Sequence, residues 1–528
     1  MSLTLEQSIG QQFLLSFSGK RTPPSKLLQI LRSQHVGGIV LFRAKNMGSI
    51  SQLRELTVAL QKAAAQIGQP PLLIAADQEG GQLMAIGDAT PFPGNMALGA
   101  TRSEKLAYRV GRALGREVAA VGVNVDFAPV CDVNNNPANP VVGTRSFGES
   151  PALVSRLSAA LVRGLQSAGV AATAKHFPGH GDTSSDSHHG SPVLPHDTKR
   201  VHRVELPPFR AAIKAGVRLM MTAHIVFPAL NGGTSLPATL SQDILRGLLR
   251  RHLGFRGLIV SDAMDMHAID QGPGLVVDAL AALGAGVDLL LLNHDLARVA
   301  FTYSCAVQAA RRGLLPPQEI HASAQRILKL KTWLARTKQP PLSVIGCREH
   351  RALAREVAEK SVTLVRDTTR QLPVRLQPTS RIAVVVPRPE DLTPADTSSL
   401  VIPALASAVR RYHRQVDNFT IAMNPSSAEI RALREKLAKY DLLIMGTINA
   451  MSHQGQAALV NTMLKSESKV IAVALRMPYD LAAYPAAPTY VCTYSILPPA
   501  MEALADALWG RILFKGTLPV RIPLNVDR

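Results

Sequence analysis

Short apolar runs alternate with amphipathic stretches of helical length along roughly the first 330 residues. This alternation is typical of βα units that form a parallel sheet, and eight such runs fit a (β/α)8 TIM-like barrel with long loops. The runs that predict strands are 11–16, 36–42, 72–76, 124–130, 171–174, 219–222, 258–261 and 287–292.

A second α/β pattern begins after a helical stretch at 320–334 and the Pro340–Pro341 pair. Paired prolines and lost periodicity indicate a linker. We therefore expect a barrel over 1–338, a linker over 339–350 and a C-terminal three-layer αβα sandwich over 351–528. Its predicted strands are 381–386, 419–423, 442–446, 470–474 and 489–493.

The amino-acid composition limits the kinds of binding partner that the protein can have. The 528 residues carry a net charge of +20, but no run of five or more Lys or Arg occurs and only 4% of residues are aromatic. We expect the basic residues to form a solvated surface and the protein to have no nucleic-acid partner. An alternative is that the chain is a non-catalytic protein that binds a cell-wall polymer or another polyanion. The N-terminus does not resemble a signal peptide, and Asp278 and Asp288 interrupt the most apolar stretch. The sequence thus predicts a cytoplasmic protein without a membrane span, with an extracellular location left open, and we expect a monomer.

Polar residues follow four predicted strands at the point where each strand ends. They are Asp77, Lys175 with His176, His224 and Asp262. Because the carboxyl ends of parallel barrel strands share one rim, where the βα loops build active sites, we expect these side chains to lie near one another.

The densest polar segment is KHFPGHGDTSSDSH, residues 175–188. Asp186 and His188 are two residues apart, so in an extended stretch the carboxylate can orient the imidazole. An imidazole that titrates near pH ~6.5 can donate and accept protons at neutral pH. The segment could instead bind zinc or serve structure alone, but its spacing matches no familiar metal motif. We predict an acid/base loop and no metal.

Asp262 ends the apolar run LIVS. A fixed carboxylate at a barrel rim can attack an electrophilic carbon without prior deprotonation, although capping a helix is the alternative role. A loop imidazole and a rim carboxylate form the acid/base and nucleophile that retaining glycoside hydrolysis needs. The same groups could also serve an aldolase or a phosphotransfer enzyme.

Several motifs resemble the bacterial β-N-acetylhexosaminidases of glycoside hydrolase family 3, the NagZ-like group in its two-domain form. The barrel motifs occur along the chain in the same order as in that family. Three later stretches resemble the C-terminal domain of the family: SVTLVRD (361–367), ALRMPYDLAAYP (474–485) and GTLPVRIP (516–523). The barrel motifs are DQEGG (77–81), FAPVCDVNNNPANPVVGTRSFG (127–148), KHFPGHGDTSSDSH (175–188), MTAHIVFPAL (221–230), PATLS (237–241) and VSDAMDM (260–266).

The resemblance implies a retaining exo-β-N-acetylglucosaminidase, and nothing in the sequence indicates a metal or organic cofactor. Asp262 matches the nucleophile, His188 the acid/base and Asp186 its partner. The residues that match sugar-binding positions are Asp77, Arg145, Lys175 and His176.

The implied substrate is an N-acetylglucosamine-containing oligosaccharide or muropeptide from peptidoglycan or chitin, as in peptidoglycan recycling. Phosphorolysis, with phosphate as the acceptor in the second step, stays an alternative. Gln82 and Ala85 stand where the group usually has arginines, and the sequence does not identify a substitute for them.

Overall fold

The computed structural model describes residues 3–184, 190, 192–266, 268–269, 274–293 and 295–524. Eight strands of its N-terminal part form one sheet in which every neighbouring pair is parallel. In chain order, with the β4–β5 hairpin included, the strands are β1 (Phe13–Leu15), β2 (Gly38–Val40), β3 (Leu73–Ala76), β4 (Gln78–Gly80), β5 (Leu83–Met84), β6 (Val125–Asp126), β7 (Ala171–Phe177), β8 (Leu219–Thr222), β9 (Leu258–Val260) and β10 (Leu290–Leu292).

The sheet order is β10-β1-β2-β3-β6-β7-β8-β9, and a bridge between Val260 and Leu289 brings its two edges together. The sheet is therefore a nearly closed barrel, and all eight predicted strands are present. The small antiparallel β4–β5 hairpin projects beyond β3 and was not predicted.

Helices surround the barrel, and side-chain caps fix several of their starts. Ser103 and Ser150 accept backbone N–H bonds at the starts of two of them, as N-cap residues commonly do. The helices are α1 (Leu5–Gln11), α2 (Ser25–Gln34), α3 (Arg43–Asn46), α4 (Ile50–Gln66), α5 (Asn95–Thr101), α6 (Glu104–Ala120), α7 (Pro151–Ser167), α8 (Thr198–Arg203), α9 (Leu206–Lys214), α10 (Leu275–Ala285), α11 (Leu296–Arg311) and α12 (Pro317–Leu334), with a π-helix at Asp243–His252 and 3-10 turns at Gly143–Arg145, Pro228–Leu230 and Ala238–Leu240.

Strand side chains alternate between two cores, since successive residues of a strand point to opposite faces. Leu14, Leu73 and Leu219 belong to the cluster inside the barrel. Ile327 and Leu330 of α12 join this cluster and close the amino-terminal end of the barrel. The opposite end, where the strands finish, is left for the loops that carry the predicted polar residues.

The second domain contains a six-stranded sheet with order β11-β16-β15-β14-β12-β13. Only β11 runs antiparallel to its neighbour, and this edge strand was not predicted. The strands are β11 (Thr363–Asp367), β12 (Ile382–Pro387), β13 (Val416–Ile421), β14 (Leu442–Thr447), β15 (Lys469–Ala474) and β16 (Thr489–Cys492). The helices are α13 (Arg348–Ser361), α14 (Leu405–Val409), α15 (Ser427–Leu437), α16 (Gln454–Met463) and α17 (Pro498–Leu508), with 3-10 turns at Leu342–Val344, Ser398–Leu400 and Pro478–Ala483.

The two faces of this sheet are covered by different helices. Val384 and Ile444 pack with residues of α14 and α17, whereas Val385 and Met445 belong to the cluster that contains residues of α15 and α16. This arrangement confirms the predicted three-layer sandwich. The domain limits 1–338, 339–350 and 351–528 stay a prediction.

Among the residues that the structure describes, no helix combines the length and the apolar character needed to cross a membrane.

Candidate active site

Four side chains form one ion-pair network: Asp77 directly after β3, Glu79 of β4, Arg145 of the 3-10 turn after β6 and Lys175 of β7. Arg145 binds Glu79 through two hydrogen bonds, Nε to Oε2 at 2.9 Å and Nη2 to Oε1 at 2.7 Å. Lys175 Nζ lies 2.7 Å from Glu79 Oε1 and donates to Asp77 Oδ1 at 2.6 Å. Three of the four, Asp77, Arg145 and Lys175, were predicted to bind sugar, and the structure brings them together.

The charges of this network are fixed by one another. Burial alone would raise the pKa of Glu79, but Arg145 and Lys175 outweigh burial and lower that pKa to about 2. Burial would likewise lower the pKa of Lys175, but Asp77 and Glu79 hold it above its ordinary value. Glu79, Arg145 and Lys175 are therefore all ionised at neutral pH.

The side chains of the network differ in their exposure to solvent. The Asp77 side chain is 24% exposed, whereas that of Lys175 is 2% exposed. Asp77 therefore presents a carboxylate to the open end of the barrel, with buried charges fixed behind it. Ionised groups of this kind make strong, directional hydrogen bonds to hydroxyls.

A second carboxylate, Asp132, organises two histidines. Its Oδ2 lies 2.7 Å from Nδ1 of His176, and its Oδ1 accepts the backbone N–H groups of His176 (3.2 Å) and His180 (2.7 Å). Burial opposes ionisation of Asp132, but His176 outweighs it and lowers the pKa of this carboxyl. The bond from Nδ1 leaves Nε2 as the ring nitrogen of His176 that can contact a ligand, consistent with the predicted sugar-binding role.

His180 is a different kind of histidine. Burial, together with the neighbouring His176, lowers its pKa to about 4, and its Nδ1 lies 2.8 Å from the hydroxyl of Thr183. His180 is therefore neutral at pH 7 and holds the first turn of the predicted acid/base loop.

Asp262 lies two residues beyond β9 and is half-buried. Its Oδ1 accepts the N–H of Ala263 at 2.8 Å, and its charge acts on the buried His180. His224 fixes the chain just after Asp262, because its Nε2 lies 3.1 Å from the carbonyl of Ala263 and its Nδ1 lies 2.8 Å from the hydroxyl of Thr239. A carbonyl only accepts, so Nε2 carries the proton. The structure thus places a positioned carboxylate on the same rim as the histidines.

The geometry can now be compared with known proteins. A sequence model of the glycosyl hydrolase family 3 N-terminal domain matches residues 4–330. This chain belongs to glycoside hydrolase family 3.

Relatives of this family 3 glycosidase match it over nearly their whole length. Beta-hexosaminidase A of Pseudoalteromonas piscicida is 32% identical, over 98% of this chain and 97% of its own. A β-N-acetylglucosaminidase/β-glucosidase of Cellulomonas fimi is 31% identical, over 98% and 93% respectively. The solved structure of a family 3 β-N-acetylglucosaminidase from Paenibacillus sp. str. FPU-7 is 37% identical, covers 100% of both chains and superposes with a TM-score of 0.93.

The predicted acid/base pair of this glycosidase, Asp186 and His188, lies outside the described residues. Asp182, which precedes this pair in the sequence, contacts residues that follow the pair, and together they form a polar cluster. Asp182 Oδ2 lies 2.6 Å from His196 Nε2 and accepts from Arg200 Nη2 at 3.1 Å. Arg200 Nη1 in turn donates to Glu205 Oε1 at 2.8 Å. Side-chain contacts therefore connect Asp182, His196, Arg200 and Glu205.

This cluster also contains a set of possible metal ligands. Donor atoms of Asp182, His196 and Glu205 lie within 4.8 Å of one another. Arg200 donates to both carboxylates, so a guanidinium already supplies the positive charge that a metal ion would bring. We therefore regard the cluster as an ion-paired anchor.

Three carboxylates of the site were not predicted from the sequence. Glu79 and Asp132 hold the predicted residues, and Asp126 ends β6, where its Oδ1 accepts the N–H of Gln78 at 3.0 Å. Burial raises the pKa of Asp126 well above its ordinary value, which favours a neutral carboxyl beneath the charged network. The available signal was the place of Glu79 in DQEGG and of Asp132 in FAPVCD, whereas Asp126 lies inside the predicted strand 124–130.

Proposed function

We propose that this glycoside hydrolase removes terminal β-linked N-acetylglucosamine from oligosaccharides by a retaining, two-step reaction. The observation that carries the proposal is the shared rim, which presents the positioned carboxylate of Asp262 together with the hydrogen-bonded Asp77–Lys175–Glu79–Arg145 network. The names of the Pseudoalteromonas, Cellulomonas and Paenibacillus relatives support a hexosaminide as substrate.

The network is suited to hold the sugar. Asp77 accepts hydrogen bonds from the sugar hydroxyls. Lys175, Arg145 and His176 donate hydrogen bonds to the hydroxyl oxygens. Because the buried charges are already paired, binding a neutral sugar costs little reorganisation of the site.

In the first step, Asp262 attacks the anomeric carbon while the bond to the leaving oxygen breaks, and His188 gives that oxygen its proton. A covalent glycosyl ester on Asp262 results. In the second step, water attacks the same carbon, His188 takes the proton from water, and the ester bond to Asp262 breaks. Asp186 keeps His188 oriented and basic enough to accept that proton.

The natural substrate we propose is a peptidoglycan or chitin fragment, such as a muropeptide, with a place in peptidoglycan recycling. A monomer in the cytoplasm fits this role. Incubation with N-acetylglucosamine-containing muropeptides and with chitin oligosaccharides, followed by mass spectrometry of the products, tests which fragment is cleaved. Release of N-acetylglucosamine from neither would contradict this proposal.

A trapping experiment tests the mechanism. A fluorinated N-acetylglucosaminide with an activated leaving group should accumulate as an ester, and peptide mapping should place the added mass on Asp262. A label on another residue would overturn the assignment. A parallel screen of 4-nitrophenyl β-N-acetylglucosaminide, glucoside and xyloside, with and without phosphate, tests the substrate. We expect the N-acetylglucosaminide to be preferred and free sugar rather than sugar 1-phosphate to form.

A further inference from the structure

The second domain reaches the active-site loops through a short segment after β15. This segment comprises residues 476–479, Arg-Met-Pro-Tyr, and both Arg476 and Tyr479 are buried at 5% and 3% exposure. A buried arginine needs partners for its charge. The partners of Arg476 lie in both domains.

Within its own domain, Arg476 is paired and fixed. Its Nη1 donates to Asp396 Oδ2 at 2.8 Å and to Ser398 Oγ at 3.4 Å. Asp396 Oδ1 in turn accepts the backbone N–H (2.9 Å) and the hydroxyl (2.6 Å) of Ser398. Contacts within the second domain are therefore enough to fix the position of the guanidinium.

The other arm of the guanidinium crosses to the barrel, where Nη2 donates to Oε1 of Gln82. Gln82 Oε1 also accepts the hydroxyl of Thr144 at 2.7 Å. Gln82 lies in the turn between β4, which carries Glu79, and β5, whereas Thr144 directly precedes Arg145. One amide oxygen thus links the two chain segments whose side chains form the Glu79–Arg145 pair.

Backbone contacts strengthen the same junction. Thr397 of the second domain donates both its N–H and its hydroxyl to the carbonyl of Gln82, each at 2.8 Å. On the neighbouring loop, Asn134 Nδ2 donates to the hydroxyl of Tyr479 at 3.1 Å, two residues beyond Asp132. Both loops that hold the sugar-binding residues therefore contact the second domain.

We propose that Arg476 is a positioning residue for the glycosidase reaction, and that it acts through Gln82 to set the sugar-binding Glu79–Arg145 pair. The proposal rests on the proposed sugar-binding role of that network. It assigns the second domain a part in substrate binding that is exerted without contact to the substrate.

Arg476→Met removes the donor and keeps much of the side-chain length. We expect KM for the aryl glycoside to rise about tenfold while kcat changes less than about threefold, because the sugar-binding pair shifts and Asp262 does not. Arg476→Lys retains a cation and should recover part of the affinity. The matched control is Arg109→Met, which breaks a half-buried pair between α6 and α13, Arg109 Nη1 to Glu356 Oε2 at 2.7 Å, that has no bond to Gln82. It should leave KM unchanged.

A double-mutant cycle tests whether Arg476 acts through Gln82. Gln82→Met should raise KM by a similar factor, and the double variant should be no worse than the more affected single variant. If the two effects multiply, or if folded Arg476→Met keeps the wild-type KM, the proposal is wrong. Should Arg476→Met fail to fold, the Arg476→Lys and Gln82→Met variants and their cycle decide the matter.

The cycle is measured on whichever aryl glycoside the wild-type protein turns over fastest. A preference for glucoside over N-acetylglucosaminide would contradict the proposed substrate, yet the ratio of KM values would still test Arg476. The two failures are therefore distinguishable.

Discussion

Oε1 of Glu79 lies 2.7 Å from Nζ of Lys175, and both side chains are almost fully buried beneath the barrel rim. Glu79 also binds Arg145 through two hydrogen bonds, so one carboxylate fixes two cations that we propose bind the sugar. Glu79→Gln keeps the shape and removes the charge. Because a buried ion without its partner is costly, we expect the free energy of unfolding to fall by about 3 kcal/mol and KM to rise at least about tenfold.

Chemical denaturation and steady-state kinetics check this expectation. The control is Glu356→Gln, which removes a half-buried carboxylate that pairs with Arg109 and Lys360 and should cost less than about 1 kcal/mol. Wild-type stability and KM in Glu79→Gln would show that the network does not fix these cations.

The same carboxylate predicts a difference at acid pH. The pKa of Glu79 is lowered from 4.5 to about 2 in the folded protein, so the stability it contributes is fully present above pH 4.5 and is lost as pH falls towards 2. Unfolding measured between pH 5 and 2.5 should show a steeper decline for wild type than for Glu79→Gln. Parallel declines would contradict the lowered pKa.

Asp132 offers a test of histidine positioning. Asp132→Asn keeps a side chain of the same size but removes the negative charge that lies 2.7 Å from His176 Nδ1. The amide can also present its NH2 group to the ring, which favours the wrong tautomer, so we expect kcat/KM to fall between tenfold and a hundredfold. Asp295→Asn, at an exposed helix cap, is the matched control and should be active. Equal kinetics of the two variants would exclude a role for the Asp132–His176 pair.

If His188 is the acid/base, the effect of replacing it should depend on the leaving group of the substrate. His188→Ala should retain measurable activity on 4-nitrophenyl N-acetylglucosaminide, whose leaving group needs no proton, and lose nearly all activity on oligosaccharides. Asp262→Ala should lose both, because no nucleophile remains. Equal losses on both substrates in His188→Ala would exclude the acid role.

Much of this site could be predicted because its residues follow strands. The apolar runs predicted all eight barrel strands, and the barrel then placed Asp77, Lys175 and Asp262 at one rim. The partners of these residues could not be predicted. The Arg145–Glu79 and His176–Asp132 bonds join residues 66 and 44 positions apart, so they depend on loop conformations that periodicity does not determine.

The missed strands have a local explanation. The β4–β5 hairpin comprises only Gln78–Gly80 and Leu83–Met84, which is too short for an alternating pattern. Strand β11 lies directly after α13, and only Thr363 of its five residues is buried, so no buried face marks it in the sequence. The contact of Arg476 with Gln82 could not be predicted from the sequence either, because it joins residues of two different domains.

A buried lysine at the other end of the barrel gives a prediction that is independent of catalysis. Lys331 lies on α12, where its Nζ donates to Gln11 Oε1 at 2.7 Å. Burial lowers its pKa from 10.5 to about 7. The unfolded chain therefore binds more protons than the folded protein between these values, so folding is disfavoured at low pH and this penalty disappears as pH rises towards 10.5.

Lys331→Met should consequently stabilise the protein at pH 6, by roughly 2 kcal/mol, because it removes the cost of a buried cation. Above about pH 10 the sign should reverse, since neutral Lys331 still donates to Gln11 and methionine leaves that amide oxygen unpaired. Denaturation of both proteins from pH 6 to 10.5 checks the crossing, with Lys329→Met on the exposed side of α12 as control. A Lys331→Met variant less stable than wild type at pH 6 would mean that the Gln11 bond outweighs the cost of burying this charge.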